Sequence, residues 1–459
     1  MAVIQAASTY RSVMQSDFHG VLSRFACALL LLVACMLHSV VTLLVCFLVL
    51  FWMLFGVRQV MEGLVFFVVL KALNADLAQW PLGIQVLGWL AVFVAGLRVF
   101  PRISRTDLPA IGAVLVFGFV AAGLSAIASP LVSVSLLKIA AFSWLISAVL
   151  VASTKLSQSD IGKFQSWVAG MLLAIALLSV LTLLDPTIGI FDRGDNLFQG
   201  VLNHPQTLGP VLAIPLTWLV ADILLAARKI EPVKTLVLLG ILVLLLLTRS
   251  RTAVAAVILA VLSSYLCALL IRRCHVFRPL RASVLSCVLL CAVLVFVVLS
   301  PGAFEYVNAY VFKGADATTV EEAFFASRGA GISTQFQNFL NSPIIGHGFG
   351  VFPSGQFDVE PVYFFGIPLS APVEKGFLPT MVLEEVGIVG GLALAPLMIL
   401  LTKKALRNHD PRWVATFFAA ILVNNGEAVF FSVNGNGLFF WCVIALVLAK
   451  SRLVPNARN

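Results

Sequence analysis

The chain has 459 residues and a formal net charge of +9, and 61% of its residues are hydrophobic while only 11% are charged. Soluble domains carry about 25% charged residues, so this composition excludes a soluble globular protein. Apolar runs of about 18 or more residues recur along the chain. Because lipid cannot satisfy exposed backbone polar groups, each run predicts a membrane-spanning helix.

Fourteen apolar segments follow one another in the sequence, which predicts an all-α, polytopic transmembrane bundle. The first three and the last two segments are short, so twelve spans is the alternative to fourteen. No small-residue cleavage site accompanies the first run, so we expect a first span and not a signal peptide. The segments are 22–37, 39–56, 60–74, 80–98, 108–128, 132–152, 164–184, 207–227, 233–248, 252–271, 281–300, 377–401, 412–429 and 431–450.

The placement of lysine and arginine predicts the orientation of the bundle. With both termini in the cytoplasm, the inner connections and the termini hold 22 of the 30 basic residues, as the positive-inside rule requires. The positive net charge is therefore a topology signal. No basic and aromatic pattern typical of nucleic-acid binding is present, so we expect no nucleic-acid partner.

The longest polar interruption is the 73-residue stretch 301–373, which this topology places outside the cytoplasm. It divides the single integral membrane domain into an N-terminal bundle (1–300), one large extracytoplasmic loop (301–376) and C-terminal helices (377–459). We expect the loop to act as a lid over the bundle and to deliver Glu374 and Lys375 to the start of the next helix.

Eight basic residues break the positive-inside pattern, because the same topology places them on the outer side or in the outer part of a span. Cations gathered there suggest an anionic ligand, for which a lipid-linked diphosphate is the natural candidate. They are Lys71, Lys138, Arg193, Arg249, Arg251, Lys313, Arg328 and Lys375.

Three of these arginines lie in short connections next to apolar helices. Arg193 lies in the connection 191–206, and its fork of donors suits phosphate oxygens; pairing with a neighbouring aspartate is the alternative. Arg249 and Arg251 lie in the turn 248–252. Arginines in such a turn should face the bundle interior or a water-filled cavity, and snorkelling to lipid headgroups is the alternative. A helix beginning at Thr252 would add its positive end to the same anion site.

Arg328 precedes a group of neutral hydrogen-bonding residues within the loop. These residues are predicted to line a sugar groove, and a solvated amphipathic helix is the alternative. The group consists of Gln335, Gln337, Asn338 and Asn341.

Two histidines occur near these segments. His204 precedes Pro205, where hydrogen bonding at a helix start is favoured over catalysis. His347 lies in the turn 346–350, whose three alternating glycines permit tight backbone approach and weakly resemble a phosphate-cradling loop. A structural role is favoured for His347 too, with catalysis as the alternative.

Glu374 is the predicted general base. Burial at a membrane-embedded helix start raises the pKa of a carboxylate towards neutral pH, which suits it to accept a proton. The alternative is a local pair or cap with Lys375. Glu384 and Glu385 lie deeper in the same span, where acidic residues are either functional or part of bundle packing. The eight cysteines show no metal-ligand spacing, so neither metal nor cofactor is expected.

The order and spacing of these motifs over residues 160–400 resemble the O-antigen ligase and polymerase superfamily of bacterial membrane glycosyltransferases. The resemblance is carried by four stretches, namely 200–206 (GVLNHPQ), 247–252 (LTRSRT), 341–348 (NSPIIGHG) and 377–387, which begins FL and ends EEVG.

The resemblance implies a metal-independent, inverting glycosyltransferase of a bacterial inner membrane, with its loop periplasmic or extracellular. It implies polyprenyl-diphosphate-linked glycans as donor and acceptor. Arg251 and Arg328 would act in catalysis with Glu374, and the residues expected to bind the diphosphate are Arg193, Arg249, Arg251, Arg328 and Lys375.

The chain departs from the ligases of this superfamily at two positions. Glu374-Lys375 stands where ligases have histidine, and Gln206 stands where asparagine is usual. The departure favours a polysaccharide polymerase, with a flippase and a chain-length regulator as further partners. The alternatives are ligation of a finished glycan to a lipid or protein, and transport of an anion or a lipid-linked sugar.

Overall fold

The computed structural model describes residues 2–78, 84–191, 197–225, 231–270, 322, 329–353, 362–364, 366–370 and 375–453. Helices dominate these residues, and their strands form two short antiparallel pairs, β1 with β2 and β3 with β4. The strands are β1 (Ile190–Phe191), β2 (Leu197–Phe198), β3 (Val362–Phe364) and β4 (Ile367–Ser370).

Eight of the described helices are long and apolar enough to cross a membrane, and three shorter helices are also apolar. The helices are α1 (Ala2–Leu37), α2 (Ser39–Met53), α3 (Val57–Ala72), α4 (Ile84–Val99), α5 (Leu108–Ala128), α6 (Val132–Lys155), α7 (Gln158–Leu181), α8 (Pro186–Gly189), α9 (Pro205–Leu224), α10 (Pro232–Leu247), α11 (Arg251–Leu270), α12 (Ala330–Asn341), α13 (Leu378–Ala405), α14 (Pro411–Leu422) and α15 (Asn436–Ser451).

The all-α, polytopic class predicted from the sequence is confirmed. Thirteen of the fourteen predicted apolar segments overlap a helix, and the remaining segment, 281–300, lies outside the described residues. The choice between twelve and fourteen spans stays a prediction. The division between the first two segments is real, because His38 has extended backbone and its Nδ1 accepts a hydrogen bond from the N–H of Val40, which starts α2.

One end of the bundle, which we call the basic end, gathers the connections predicted to be basic. Acidic partners hold their cations in place, and the guanidinium of Arg452 also donates to the Ser153 carbonyl (3.1 Å). The pairs that tie these connections together are Lys155–Asp107 (2.7 Å), Arg58–Asp160 (3.3 Å) and Arg412–Asp222 (2.8 Å).

The opposite end, which we call the site end, holds five of the eight cations that break the positive-inside pattern. The other three, Arg193, Lys313 and Arg328, lie outside the described residues. Contacts between distant segments close this end of the bundle. They run from Lys71 Nζ to the Asn434 carbonyl (2.5 Å), from Lys138 Nζ to the Gly350 carbonyl (2.5 Å), from the Asn74 N–H to the Val201 carbonyl (2.9 Å), and from Asn436 Nδ2 to Thr207 Oγ1 (3.0 Å).

Aromatic rings fill the interior just below the site end. Phe349, from the predicted extracytoplasmic loop, is 1% exposed and packs against Phe431 with ring centroids 5.0 Å apart. Phe117 and Phe142, from α5 and α6, contact the same two rings. This part of the loop is therefore a component of the bundle core.

Candidate functional site

Helix α13 is broken at Gly387, where the backbone takes φ 60° and ψ −167°. In an unbroken helix the N–H groups of Ile388 and Val389 would donate to the carbonyls of Glu384 and Glu385. Both bonds are replaced here by bonds to a separate stretch of chain, Pro343–Val351, which we call the inserted segment.

The inserted segment supplies two acceptors and two donors to the break. Because lipid offers no partners to free backbone groups, this exchange is what allows a non-helical residue inside a spanning helix. The four bonds are Ile388 N–H to the Pro343 carbonyl (2.9 Å), Val389 N–H to the Ile344 carbonyl (3.3 Å), His347 N–H to the Glu384 carbonyl (2.9 Å) and Gly348 N–H to the Glu385 carbonyl (2.9 Å).

Two glycines permit this close approach. A Cβ on Gly387 would collide with the Ile344 carbonyl, and one on Gly346 would lie 2.5 Å from the Glu385 carbonyl. Both residues also have left-handed backbone, with φ of 60° and 70°, which glycine adopts without steric cost. The helix break and the inserted segment therefore depend on each other.

A buried ion cluster lies directly above the break. Lys375 Nζ is 2.7 Å from Glu384 Oε2 and 3.1 Å from Glu385 Oε1, and the three side chains are 1–2% exposed. The ammonium also donates to the Val351 carbonyl (3.0 Å). We call these three residues the Lys375 cluster.

Two further hydrogen bonds reach the carboxylates of the cluster from its surroundings. Asn338 Nδ2 donates to Glu384 Oε1 (2.7 Å), and the Gly350 N–H donates to Glu385 Oε2 (2.8 Å). The carbonyl of Gly350 in turn accepts from Lys138. Two ammonium groups thus accompany the two carboxylates, and this balance suits burial because unpaired charge is costly in a low-dielectric interior.

These contacts change the interpretation of Lys375, which the sequence suggested as a diphosphate ligand. An ammonium has three donors, and here three acceptors within the protein surround it. Lys375 pairs instead with two carboxylates that lie nine and ten residues further along the chain. Glu374 itself lies outside the described residues.

The turn 346–350, which we call the glycine turn, does not act as a phosphate cradle. Each backbone N–H from Gly346 to Gly350 already donates within the protein, the first to the Ser342 carbonyl and that of Phe349 to Ser125 Oγ. The His347 ring is engaged as well, with Nε2 2.8 Å from the Asn338 carbonyl. These contacts match the structural role that was favoured for His347.

Helix α12 agrees only in part with the predicted sugar groove, because Gln337 and Asn341 are exposed but the other two residues of the group are buried. Gln335 and Asn338, expected to face a sugar groove, are each 6% exposed and face α13, where Gln335 accepts from Thr380. The outward face carries Phe336 and Leu340, which are 46% and 51% exposed. The exposed residues of α12 also include Gln337 and Asn341, so its outer side is mixed in polarity. Arg328, which precedes α12, lies outside the described residues.

The turn between α10 and α11 holds two arginines, Arg249 and Arg251. We call residues 248–251 the arginine turn. Arg249 has φ 49°, and it is the one non-glycine residue with positive φ in the described part of the chain. Such a backbone costs about 1–3 kcal/mol and persists where the surroundings enforce it, often at functional sites. Helix α11 begins at Arg251, one residue before the predicted start.

His204 has the predicted role at the start of α9. Its backbone is extended, and Nδ1 accepts from the N–H of Gln206 at 3.0 Å. Its ring also contacts Phe191, with centroids 4.5 Å apart. Arg193, from the same connection, lies outside the described residues.

The connection between α14 and α15 joins the arginine turn to the Lys375 cluster. Gly426 packs against Thr252 at the start of α11, and the N–H of Ala428 donates to the Lys375 carbonyl at 3.2 Å. Glu427 lies between these two contacts and is half-buried. This carboxylate was not predicted as a site residue, because 412–429 was interpreted as one apolar span although the run Asn424-Asn425-Gly426-Glu427 interrupts it.

Two buried polar atoms in this region have no hydrogen-bond partner among the described residues. They are Ser250 Oγ, within the arginine turn, and Asn424 Oδ1, two residues before Gly426. Buried polar groups are normally paired, so such atoms are expected where a ligand or water binds.

Comparison with models of known protein families gives no match, and neither does comparison with curated protein sequences. The likeness to the O-antigen ligase and polymerase superfamily therefore remains a resemblance of motifs.

Proposed function

We propose that the protein polymerises polyprenyl-diphosphate-linked oligosaccharide repeat units into a surface or secreted polysaccharide. The acceptor hydroxyl of one lipid-linked unit attacks the anomeric carbon of a growing lipid-linked chain. A new carbon–oxygen bond forms, the bond to the diphosphate breaks with inversion, and the lipid diphosphate leaves with the bonding electron pair. The proton of the hydroxyl passes to a carboxylate.

The observation that carries this proposal is the meeting of four distant motifs at the site end. The connection between α14 and α15 contacts the start of α11 through Gly426 and, through Ala428, Lys375 just before α13. Asn436, the first residue of α15, contacts the first turn of α9. The inserted segment reaches the same region through the Lys375 cluster. The residues contacted lie within, or at most three residues from, the four stretches on which the resemblance rests.

Arg249 and Arg251 are the described cations that we assign to the departing diphosphate, together with Arg193 and Arg328. A planar guanidinium binds phosphate oxygens through two donors at once. Fixed cations stabilise charge that develops on the leaving group, and the enforced backbone of Arg249 supports such fixing.

Glu374 remains our assignment for the general base. Lys375, the next residue, is anchored by two carboxylates, the Val351 carbonyl and the Ala428 N–H. In this arrangement the Lys375 cluster is a positioning element, because it fixes the point from which Glu374 is presented. Glu427 is the competing carboxylate.

The orientation is part of the same proposal, with the basic end in the cytoplasm of a bacterial cell and the site end outside the inner membrane. The separation of cations between the two ends supports it. Substrate carried across the membrane on its lipid would then meet the site directly.

The direct test is to incubate purified protein with a lipid-linked repeat unit and to resolve the products by length. A polymerase gives a ladder of lipid-linked chains. A ligase, the alternative from the same superfamily, transfers one unit to a lipid or protein acceptor without lengthening the lipid-linked chain. Absence of a ladder with an authentic unit would overturn the polymerase assignment.

The break in α13 favours transport as a second candidate. Discontinuous spanning helices form substrate and ion sites in many secondary transporters. Helix α13 has 28 residues, and its break at Gly387 is the tenth of them. The break therefore lies between the middle of the helix and its site end. Counterflow of lipid-linked sugar in liposomes, without a covalent product, would select transport over glycosyl transfer.

A further inference from the structure

Lys71, the penultimate residue of α3, is a half-buried cation at the site end with no role in the chemistry described above. Its Nζ donates to the Asn434 carbonyl (2.5 Å), which uses one of the three donors of an ammonium. Among the described residues it has no carboxylate partner and no second acceptor. Lysine is disfavoured on the outer side of a membrane protein, so an ammonium held there without a counter-charge indicates a binding role.

The side chain of Asn434 lies beside this ammonium. A Cβ added to Gly88 of α4 would be 2.6 Å from Asn434 Oδ1 and 3.4 Å from Lys71 Nζ, so both polar groups border the same small space next to that glycine. The carboxamide of Asn434 makes no hydrogen bond within the described part of the chain. The ammonium and the carboxamide can therefore donate together to the oxygens of one anion.

The first turns of α9 separate Lys71 from the arginine turn. Asn436, two residues beyond the acceptor of Lys71, donates to Thr207 (3.0 Å), whereas Ser250 packs against Gly209. Positions 207 and 209 face nearly opposite sides of a helix with 3.6 residues per turn, and a helix with its side chains is about 10 Å across. Lys71 and the arginine turn are therefore two distinct places at the site end.

The proposed reaction brings together two lipid-linked substrates, and each of them carries a diphosphate. The diphosphate of the donor is bonded to the reacting anomeric carbon, and the arginines are assigned to it. The acceptor reacts through a hydroxyl of its glycan, at a distance from its own diphosphate. The glycan of one repeat unit thus holds the two diphosphates apart, and the diphosphate of the acceptor needs a site of its own.

We propose that Lys71 and Asn434 bind the diphosphate of the acceptor unit, separately from the diphosphate of the donor. The inference rests on the proposed function, which supplies two lipid-linked substrates, and it gives the second of them a place. Lys71 is a binding residue in this arrangement and does not touch the reacting atoms. An acidic sugar of the repeat unit would present similar anionic oxygens, so the experiment uses a probe without a glycan.

The experiment counts the lipid diphosphates bound to the full chain by native mass spectrometry from detergent. The probe is glycan-free polyprenyl diphosphate, at a concentration that just saturates the wild-type protein, and the matching neutral polyprenol corrects for non-specific lipid binding. Wild type should bind two diphosphates per chain. Lys71→Met should bind one, because loss of the charge should weaken the second site at least about tenfold, equivalent to ~1.4 kcal/mol.

Three further variants separate charge from other effects. Lys71→Arg keeps the cation and should bind two diphosphates. Lys163→Met removes an exposed lysine of α7 at the basic end and should also bind two. Asn434→Asp places a carboxylate of nearly the same size beside Lys71, so the ammonium gains a counter-charge within the protein, and this variant should bind one.

One diphosphate per wild-type chain, or two on Lys71→Met, would overturn the second site. A site that recognises an acidic sugar would give the first of these results. A product ladder from the same wild-type preparation tests the proposed function separately. A ladder with equal counts in wild type and Lys71→Met rejects the second site alone, whereas a count that falls from two to one without any ladder rejects the polymerase alone. The diphosphate that stays bound to Lys71→Met and Asn434→Asp shows that these variants are folded.

Discussion

Lys375 and Glu384 form an ion pair in the interior, with Nζ and Oε2 2.7 Å apart and each side chain 1% exposed. The two residues are separated by the first helical turns of α13, so the pair holds the start of that helix against its own interior. Glu385 shares the same ammonium at 3.1 Å.

Replacing Lys375 with methionine should destabilise the protein by about 3–5 kcal/mol, the usual cost of removing one partner of a buried pair. The loss follows because two carboxylates would remain without their ammonium. Thermal unfolding of purified protein in detergent measures it. Adding Glu384→Gln to the methionine variant should recover part of the stability. If the single variant unfolds normally and only weakens substrate binding, Lys375 is a diphosphate ligand after all.

Gly387→Ala should prevent correct folding, whereas Gly391→Ala should not. The first substitution forces a left-handed residue and drives a Cβ into the Ile344 carbonyl. At Gly391, one turn further along α13, an added Cβ makes only ordinary contacts at 3.9 Å, and alanine is the better helix former by up to about 1 kcal/mol. The yield of monodisperse protein measures both. Equal yields would show that the helix break is dispensable.

Arg249→Gly should be more stable than Arg249→Ala, and both variants should lower activity. Glycine relieves the positive φ, which costs about 1–2 kcal/mol in a residue with a side chain, but it removes a cation from the proposed diphosphate site. Arg249→Ala removes the same charge and keeps the strain, so it is the control for the backbone effect. We expect a similar loss of polymer in both variants, with higher thermal stability only for glycine. Full activity of Arg249→Gly would remove Arg249 from the site.

Glu374→Gln should reduce the polymerisation rate about 10²–10⁴-fold, the usual effect of losing a general base. Glu427→Gln should reduce it less than about tenfold. The pH profile of product formation should lose its acidic limb in the first variant and keep it in the second. The reverse pattern would transfer the role of base to Glu427.

At the basic end, Asp107 makes the stability of the folded protein depend on pH in the acid range. Burial raises the pKa of Asp107, but hydrogen bonds from Lys155, Thr154 and Ser104 outweigh it and lower that pKa from 3.8 to about 2. The depressed pKa stabilises the folded state by about 2 kcal/mol above pH ~4, and this contribution disappears as the pH falls towards 2.

Asp107→Asn should therefore be less stable than wild type near neutral pH and should lose less stability between pH ~4 and ~2. Unfolding midpoints across that range, measured in one detergent, check this. Parallel curves for the two proteins would contradict it.

The sequence predicted the helices well because membrane spans depend on composition over a whole segment. Even the short interruption at His38 was visible, since it divides two apolar runs. The five described cations that were predicted on the outer side lie together at the site end. This placement was predictable because successive spans run in opposite directions, so alternate connections lie at the same end of the bundle.

The contacts of the candidate site were less predictable because they join residues far apart in the chain. The sequence shows Lys375 beside Glu374, from which we expected a diphosphate ligand, with a local pair as the alternative. It gives no sign that the Val351 carbonyl and Asn338 would complete a buried cluster, or that the glycine turn would direct its N–H groups into a broken helix. Three glycines in alternation indicated close backbone approach, but not to what.

The exchange of four backbone bonds between the inserted segment and α13 constrains how the protein can move. Separating the two would leave four N–H groups and four carbonyls without partners in lipid, which costs several kcal/mol for each group. The inserted segment and the upper part of α13 should thus travel together as one rigid unit. Any hinge that admits substrate or releases product must lie at the borders of that unit, before Pro343 or on the far side of Val389.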